Sequence, residues 1–146
     1  MRPEVIIAIG IPASGKTTLR AKYRDYAVIS PDEIRKGLFG VTYDKAIEPF
    51  VWDIAFEWLE CYTLAGVNVY FDATSISKWA RARIMEVVDR RRVKVIAHYL
   101  PVSVKTALKR NLERDRHVPE EVIISMAERL EPPTIDEGFK EIRVGY

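Results

Sequence analysis

Short apolar runs rich in β-branched residues alternate along the chain with longer segments whose apolar residues recur every three or four positions. The first pattern predicts buried strands and the second predicts amphipathic helices. The predicted strands occupy residues 5–9, 26–29, 67–71, 93–100 and 141–144. The predicted helices occupy residues 16–25, 30 to about 37–40, 45–65, 77 or 78 to 90, 103–114 and 119–130. This alternation indicates a single α/β domain over residues 1–146, with a parallel sheet flanked by helices on both faces.

Two of the predicted helices carry strong boundary signals. Ser30 and Pro31 suit the cap and the first position of a helix, and Glu33 completes a capping box with Ser30. The helix over residues 45–65 tolerates Pro49 only in its first turn. Its aromatic residues fall on more than one face, which predicts burial on two sides; they are Phe50, Trp52, Phe56, Trp58 and Tyr62.

The composition is ordinary for a folded protein, with 48% hydrophobic and 30% charged residues, which excludes wholesale disorder and fibrous classes. The single cysteine, Cys61, cannot form an internal disulfide or a cysteine-based zinc site, and we expect an inert, half-buried thiol. No apolar run approaches the roughly 18 residues of a membrane span. The apolar N-terminal run leads directly into Gly15 and Lys16, so a signal peptide is rejected and a cytoplasmic location is expected.

Charge is unevenly distributed although the net charge is only +2. Residues 76–116 contain 12 Lys and Arg against 4 Asp and Glu, whereas residues 41–75 contain 1 against 6. A concentrated positive field gathers polyanions, so the basic stretch is a candidate phosphate-binding side. An ordinary solvated surface is the alternative.

The strongest chemical signal lies at residues 10–17, which match the phosphate-binding pattern G-x-x-x-x-G-K-[ST] between a strand and a helix. Its glycines allow backbone N–H groups to point into a concavity that an anionic phosphate fills. Lys16 can reach the β- and γ-phosphates of a nucleoside triphosphate, and the Thr17 hydroxyl can ligate Mg²⁺. The residues expected to bind the nucleotide are Gly10, Pro12, Ala13, Ser14, Gly15, Lys16, Thr17 and Thr18.

Two acidic residues follow predicted strands. Asp32 lies early in the helix after the second strand, where a carboxylate can deprotonate an acceptor hydroxyl or simply cap the helix. Arg35 lies three residues further on the same helical face, so the pair could hold a hydroxyl and a phosphate of one acceptor. Asp72 ends the third strand and Thr74 follows it. Asp72 either serves Mg²⁺ or the acceptor, or it forms hydrogen bonds within the turn.

The segment over residues 103–118 combines an apolar helical stripe with basic edges. The stripe consists of Val104, Leu108 and Leu112, and the edges carry Lys105, Lys109, Arg110, Arg114 and Arg116. Beside a nucleoside triphosphate, an arginine can stabilise charge on the transferred phosphoryl group; otherwise this helix is a solvated surface. His98 lies on a predicted strand and is interpreted as structural, whereas His117 lies next to the basic residues.

Four segments occur in an order that resembles the 5′-kinase domain of bacteriophage polynucleotide kinases. They are residues 10–17 (GIPASGKT), 30–35 (SPDEIR), 72–75 (DATS) and 109–114 (KRNLER). The resemblance extends from about residue 5 to residue 130. It implies transfer of the γ-phosphoryl group of ATP to a 5′-hydroxyl of DNA or RNA, with Lys16 and Thr17 holding the triphosphate and Mg²⁺.

The resemblance also implies roles on the acceptor side. Asp32 would be the general base, and Arg35 would bind the phosphate just 3′ of the acceptor nucleotide. Asp72 and Thr74 would line the acceptor site. Arg114 would be an arginine of a lid, within the segment over residues 103–118, that contacts the transferred phosphoryl group.

The chain departs from the family pattern at residues 73–75, where Ala-Thr-Ser carries one residue more than the family's Thr-Asn. The phosphatase domain that accompanies some members has no counterpart, so no 3′-end processing is expected from this chain. Trp79, just past this loop, could stack on a base or pack within the protein, and packing is the favoured interpretation.

Together these features predict an ATP- and Mg²⁺-dependent polynucleotide 5′-hydroxyl kinase that transfers the phosphoryl group in line. Two alternatives stay open: a small-metabolite kinase of the same fold, and a nucleotide-binding module without phosphotransfer. The sequence does not distinguish DNA from RNA or ATP from GTP. It also leaves open whether the protein forms a homo-oligomer, and no membrane is expected among its partners.

Overall fold

The computed structural model describes residues 2–115 and 117–146. Within these residues, strands and helices alternate as the apolar pattern predicts. The strands are β1 (Glu4–Ile9), β2 (Ala27–Ile29), β3 (Val69–Phe71), β4 (Lys94–Tyr99) and β5 (Glu141–Val144). The α-helices are α1 (Lys16–Leu19), α2 (Pro31–Ile34), α3 (Glu48–Leu64), α4 (Lys78–Val87), α5 (Val104–Leu112) and α6 (Glu120–Arg129). Shorter helical turns are a 3₁₀ turn at Arg20–Tyr23, a π turn at Arg35–Phe39 and a 3₁₀ turn at Ile135–Glu137.

The strands form one sheet in the order β2-β3-β1-β4-β5, and every neighbouring pair is parallel. The predicted last strand, β5, pairs with β4 in the register Ala97 to Ile142. Because all strands are parallel, their carboxyl ends meet at one edge of the sheet, where ligands bind in open α/β folds. The predicted fold class is confirmed.

Helices cover both faces of the sheet, and β1 shows why. All its residues from Val5 to Ile9 have 0% exposed surface, because alternate side chains point to opposite covered faces. One face packs against α3 and α4, in a cluster that includes Val5, Ile7, Ile9, Val51, Ala55, Leu59 and Ile84. The other packs against α1 and its 3₁₀ extension, in a cluster that includes Ile6, Ala8, Leu19, Tyr23 and Tyr70.

Several local expectations are wrong. The α-helix predicted over residues 16–25 ends at Leu19 and continues as a 3₁₀ turn. Helix α3 begins at Glu48, so Pro49 lies in its first turn as required. Only one face of α3 is deeply buried, through Val51, Ala55 and Leu59, while Phe50 is 58% exposed. Trp52, Phe56 and Tyr62 are partly buried against the core, whereas Phe50 and Trp58 are exposed, so the aromatic residues do not mark two buried faces. Cys61, expected to be half-buried, is exposed.

His98 is a structural residue, as predicted. Its Nδ1 lies 2.7 Å from the Tyr23 hydroxyl oxygen, and its Nε2 contacts the Gly145 carbonyl. Because a carbonyl can only accept, Nε2 carries the proton and Nδ1 accepts from Tyr23. Burial lowers the pKa of His98, which favours this neutral form.

Among the described residues, no helix is long and apolar enough to cross a membrane.

Candidate active site

The phosphate loop, residues 10–17, joins β1 to α1 through two left-handed backbone positions. Ala13 has φ 64° and Gly15 has φ 105°, and this alternation turns successive N–H groups toward one side. A Cβ on Gly10 would collide with the Ser14 hydroxyl, so any larger residue there would have to displace that side chain. The Ser14 hydroxyl is fully buried and has no hydrogen-bond partner among the described residues. The loop therefore retains unused hydrogen-bonding capacity that a phosphate oxygen can satisfy.

Lys16 is folded back over the loop. Its Nζ donates to the carbonyl oxygens of Gly10 at 3.0 Å and Ile11 at 2.9 Å. Burial lowers the pKa of Lys16 to about 8; the Asp72 carboxylate opposes this shift, and the Arg114 guanidinium adds to it. A buried ammonium whose pKa is about 8 can exchange these carbonyl oxygens for the oxygens of a phosphate.

Asp72 lies at the end of β3, within the electrostatic reach of Lys16. Its backbone N–H donates to the Ile29 carbonyl at 2.8 Å, and its side chain is 8% exposed. Arg20 donates to its Oδ2 at 3.2 Å. Burial raises the pKa of Asp72, while Lys16 and Arg20 pull it down. These two cations are the compensation that a buried carboxylate requires.

Arg20, which no sequence motif indicated, connects the 3₁₀ turn after α1 to the end of β3 and to α2. Besides Asp72, it contacts Glu33 Oε1 at 3.0 Å. The Ser30 hydroxyl caps α2 by accepting from the Glu33 N–H at 3.2 Å, whereas the Glu33 carboxylate is engaged by Arg20. One signal was available: Arg20 lies four residues after Lys16, on the same helical face.

Asp32 lies in the first turn of α2, and its side chain is 47% exposed. Lys36 Nζ lies 3.2 Å from Oδ2, and Arg35 Nη1 lies 3.6 Å from Oδ1. The guanidinium of Arg35 is also held by Glu48, whose Oε2 accepts from its Nε at 2.8 Å. Glu48 additionally accepts from the Trp52 indole N–H at 3.2 Å. Arg35 therefore lies beside Asp32 as predicted, but a carboxylate occupies it where the resemblance implies a phosphate.

The loop after β3 is attached to the phosphate loop. The Gly10 N–H donates to the Thr74 carbonyl at 3.1 Å, so Thr74 contributes its backbone at this point. Ser75 adopts a left-handed conformation, with φ 47°. Asp32, Asp72 and the phosphate loop thus lie at the carboxyl ends of three adjacent strands, β2, β3 and β1.

Helix α5 approaches the phosphate loop from the other side. Arg110 Nη1 donates to the Ser14 carbonyl at 3.3 Å. Arg114 follows the end of α5, is exposed, and acts on Lys16 through its charge. Arg116, also part of the basic segment, lies outside the described residues. Arg110 is the arginine that touches the loop, and the sequence had marked it only as an edge of the apolar stripe.

Two tyrosines missed by the sequence analysis also contact the phosphate loop. The Tyr70 hydroxyl donates to the Lys16 carbonyl at 2.6 Å, and burial raises the pKa of Tyr70. The Tyr146 hydroxyl donates to the Gly15 carbonyl at 3.3 Å, and Lys22 Nζ lies 5.6 Å from the centroid of the Tyr146 ring. Both contacts are remote in sequence, so local motifs do not indicate them.

The basic stretch is not one surface. Arg81 is completely buried and pairs with Glu137, with Nε to Oε1 at 2.7 Å. Residues 90–92 precede β4, whose first residue, Lys94, pairs with Glu4 at the start of β1. They therefore lie at the edge of the sheet opposite the phosphate loop. Of the basic residues in this stretch, Arg110 contacts the phosphate loop and Arg114 acts on Lys16 through its charge, so these two lie at the candidate site.

These residues fit a Mg²⁺-bound nucleoside triphosphate. The unpartnered Ser14 hydroxyl and the two left-handed loop positions form an anion cradle. Thr17 is exposed at the start of α1, where its hydroxyl can ligate the metal. Asp72 lies near enough to influence the charge of Lys16, so it too belongs to this site.

Comparisons with known proteins agree with this architecture. An L-seryl-tRNA(Sec) kinase from Methanococcus maripaludis is 26% identical over 137 residues, which are 88% of this chain and 53% of that protein. The chain thus spans about half the length of this curated relative.

Two solved structures share the fold at low identity. A chain from the Pnkp1/Rnl/Hen1 RNA repair complex has TM-score 0.77 and 19% identity, covering 88% of this chain and 44% of that chain. A gluconokinase from Sinorhizobium meliloti has TM-score 0.61 and 17% identity, covering 97% and 81%. A shared fold does not by itself specify a shared substrate. Residues 5–133 match the family AAA_33, described as an AAA domain, and this chain belongs to that family, with a phosphate-loop kinase-like fold.

Proposed function

We propose that this chain is a polynucleotide 5′-hydroxyl kinase that transfers the γ-phosphoryl group of ATP to the end of DNA or RNA. The supporting observation is the meeting of the phosphate loop, Asp32 and Asp72 at three adjacent strand ends, where Arg20 contacts both Asp72 and Glu33, the residue after Asp32. One side of this arrangement suits an anionic donor, and the other presents a carboxylate to an acceptor hydroxyl.

In the proposed reaction, the acceptor oxygen bonds to the γ-phosphorus as the bond from that phosphorus to the β–γ bridging oxygen breaks, and ADP leaves. The hydroxyl proton passes to the Asp32 carboxylate. Lys16 and the loop N–H groups would hold the donor phosphates, and Thr17 would ligate Mg²⁺, which would supply charge neutralisation when bound. Arg114, an exposed residue after α5 that lies within electrostatic reach of Lys16, would stabilise negative charge on the transferred phosphoryl group.

The polymer acceptor is supported by the order of the four motifs and by the cations that stay on the site edge. Binding of a polyanion by such residues weakens as salt rises, because condensed counterions must be released. We therefore propose that the acceptor's phosphates contact Arg35 and the basic segment over residues 103–118.

One observation favours a small-metabolite kinase as the second candidate. Glu48 accepts from Arg35 through Nε, at 2.8 Å, and through Nη2, so this carboxylate competes with an acceptor phosphate for the guanidinium and leaves only Nη1 without a contact to Glu48. A polyol acceptor that carries no phosphate does not compete with Glu48 for Arg35. The gluconokinase with the same fold has the acceptor chemistry of this alternative.

The deciding experiment measures transfer of labelled γ-phosphate from ATP with Mg²⁺ to short DNA and RNA oligonucleotides carrying a 5′-hydroxyl. The matched acceptor is the same oligonucleotide with a 5′-phosphate, which should accept no label. Gluconate and glycerol are tested in parallel. Label on the 5′-hydroxyl oligonucleotide, reduced by added salt, is the expected result. Label only on the small alcohols, or ATP binding without transfer, would contradict the proposal.

The pH dependence of ATP use should report Lys16. Its pKa is about 8 in the folded protein, below the ordinary value of 10.5, so its ammonium charge is complete well below pH 8 and is lost above it. We expect kcat/KM for ATP to fall as pH rises through about 8, because kcat/KM reports the ionisation of the free enzyme. The same shift means that the unfolded chain binds more protons between these values, so this group makes stability rise with pH from about 8 to 10.5.

The matched variant is Lys16→Arg, because a guanidinium stays charged throughout this range. Its kcat/KM, although lower, should show no decline near pH 8. A wild-type profile that is flat from pH 7 to 9.5 would contradict the assigned role of Lys16.

A further inference from the structure

Trp79 is the most exposed of the three tryptophans, with 71% of its surface accessible in the first turn of α4. The packing role favoured from the sequence is therefore wrong. The guanidinium carbon of Arg83 lies 5.1 Å from the centroid of the Trp79 ring and 5.3 Å from that of Phe56. Arg83 is held by two aromatic rings, and these cation–π contacts restrain the exposed indole.

This group continues inward to the acceptor side. The ring centroids of Phe56 and Trp52 are 5.7 Å apart. The Trp52 indole N–H donates to Glu48 at 3.2 Å, and Glu48 in turn holds Arg35. An unbroken row of contacts thus runs from the residue beside Asp32 to the exposed Trp79. We call these residues the aromatic row: Arg35, Glu48, Trp52, Phe56, Arg83 and Trp79.

The row lies on the reactive edge of the sheet at both ends. Glu48 is the first residue of α3, beside α2, which carries Asp32. Trp79 follows the loop that begins at Asp72, and Ser77 fixes the start of α4 by accepting from the Ala80 N–H at 3.0 Å. Trp79 therefore lies in the first helical turn after the loop that carries the acceptor-side residues.

A single exposed apolar side chain needs no explanation, so exposure alone is a weak argument. The aromatic row differs from an isolated exposed side chain in three respects. Its outer ring is restrained, which reduces the entropy lost when a ligand orders it. Its neighbours Lys78 and Arg83 are cationic, which suits a ligand that joins flat rings to phosphates. At its inner end the row includes Arg35, which lies beside Asp32, the proposed general base.

We propose that Trp79 stacks on a base of the acceptor polynucleotide, at a nucleotide 3′ of the end that receives the phosphoryl group, with Arg83 steadying the ring. This inference rests on the proposed function and narrows it, since a small sugar acceptor has no base to stack. Stacking is tolerant of sequence because every base has a π face. Stacking on Trp79 therefore favours an acceptor of at least two nucleotides, with little preference among the four bases.

The test compares Trp79→Ala, Trp79→Phe and Trp58→Ala in phosphorylation of a 5′-hydroxyl oligonucleotide. Trp58 is 39% exposed on α3 and lies outside the aromatic row, so Trp58→Ala is the matched control. Trp79→Ala should raise KM for the oligonucleotide on the order of tenfold with kcat retained, which is the fold-change typical of losing one stacked base. Trp79→Phe should keep most of the affinity, and Trp58→Ala should match the wild type.

Oligonucleotides with one abasic site at successive positions then identify the stacked base. In the wild type, the abasic site at one position should raise KM as much as Trp79→Ala does. In Trp79→Ala, the same abasic site should have no further effect, because each change removes the same contact. Additive effects at every position, or a KM for Trp79→Ala within twofold of wild type, would overturn the inference.

A binding measurement separates failure of this inference from failure of the proposed function. Anisotropy of a labelled oligonucleotide is followed with wild type and Trp79→Ala, without ATP. If the wild type phosphorylates no oligonucleotide but binds it more tightly than Trp79→Ala does, the stacking surface is supported and the kinase assignment is overturned. Equal binding by both proteins, or binding by neither, would overturn the stacking surface.

Discussion

Replacing Asp32 with asparagine is expected to lower kcat for transfer to the acceptor hydroxyl by about 10²–10⁴-fold, the usual contribution of a positioned general base. Asparagine has nearly the same size, and Ser30 still caps α2, so the fold should persist. It cannot accept the acceptor's proton. ATP binding should be unchanged, because the phosphate loop and Lys16 lie at the end of a different strand.

The measurement is single-turnover transfer from labelled ATP, with ATP affinity determined separately. Asp53→Asn is the matched control, since Asp53 is an exposed carboxylate on α3 away from the phosphate loop and should leave the rate unchanged. A rate for Asp32→Asn within threefold of wild type would remove Asp32 from the role of base. Loss of ATP binding in parallel would instead point to a structural effect of the substitution.

The contacts of Asp32 add a second expectation to this experiment. Lys36 and Arg35 lie 3.2 and 3.6 Å from its carboxylate, and both would lose an ionic partner in Asp32→Asn. Arg35 remains held by Glu48, so its position should change little. Because the Asp32–Lys36 pair is largely exposed, its loss should have little effect on stability, and a change in rate can be attributed to chemistry.

The sequence was sufficient for features that depend on neighbouring residues. The buried strand β1 and the loop that follows it are encoded locally, by an apolar β-branched run and by glycines where the backbone must turn. The cap of α2 was predicted for the same reason, because Ser30 bonds a residue three positions away. The parallel sheet followed from the alternation of strands and helices.

The missed residues are those whose partners are distant in the chain. Arg20 contacts Asp72, 52 residues away, and Arg110 contacts Ser14, 96 residues away. Tyr146 reaches Gly15 across 131 residues. No periodicity or motif connects such pairs, because they come together only when the parallel strands place their carboxyl ends at one edge. Arg110 was marked only as an edge of the apolar stripe on its own helix, and Arg20 was not marked at all.

The charge pattern shows a different limit. A count along the chain treats residues 76–116 as one basic region. In the structure, however, α4 carries the chain from the edge near the phosphate loop to the opposite edge, where β4 begins. Residues 90–92 therefore lie at the far edge, and Arg81 lies inside the protein. The position of residues 90–92 at the far edge was predictable from a parallel topology. The burial of Arg81 was not, because it depends on the position of Glu137.

Replacing Arg81 with methionine is expected to destabilise the protein by about 3–5 kcal/mol, the typical cost of removing one partner of a buried ion pair. Arg81 has 0% exposed surface, and its guanidinium donates to both Glu137 oxygens, at 2.7 and 3.1 Å. It also donates to the Ser75 carbonyl at 2.9 Å. Methionine fills a similar volume but leaves the Glu137 carboxylate, only 11% exposed, without this partner.

The free energy of unfolding is measured by urea denaturation, with Arg91→Met as the matched control. Arg91 pairs with Asp89 but is 91% exposed, so the same substitution there should cause no measurable loss. Adding Glu137→Gln to Arg81→Met should recover part of the stability, because the uncompensated charge is removed. A loss for Arg81→Met no larger than that for Arg91→Met would show that the buried pair contributes nothing.

The same variant bears on function, because Arg81 fixes the loop that carries Thr74. The Thr74 carbonyl accepts from the Gly10 N–H, so loosening this loop also loosens the first residue of the phosphate loop. At a temperature where Arg81→Met is still folded, KM for ATP should rise while the pH at which kcat/KM declines stays near 8, since Lys16 keeps its surroundings. An unchanged KM for ATP would show that Arg81 contributes to stability and not to the position of the phosphate loop.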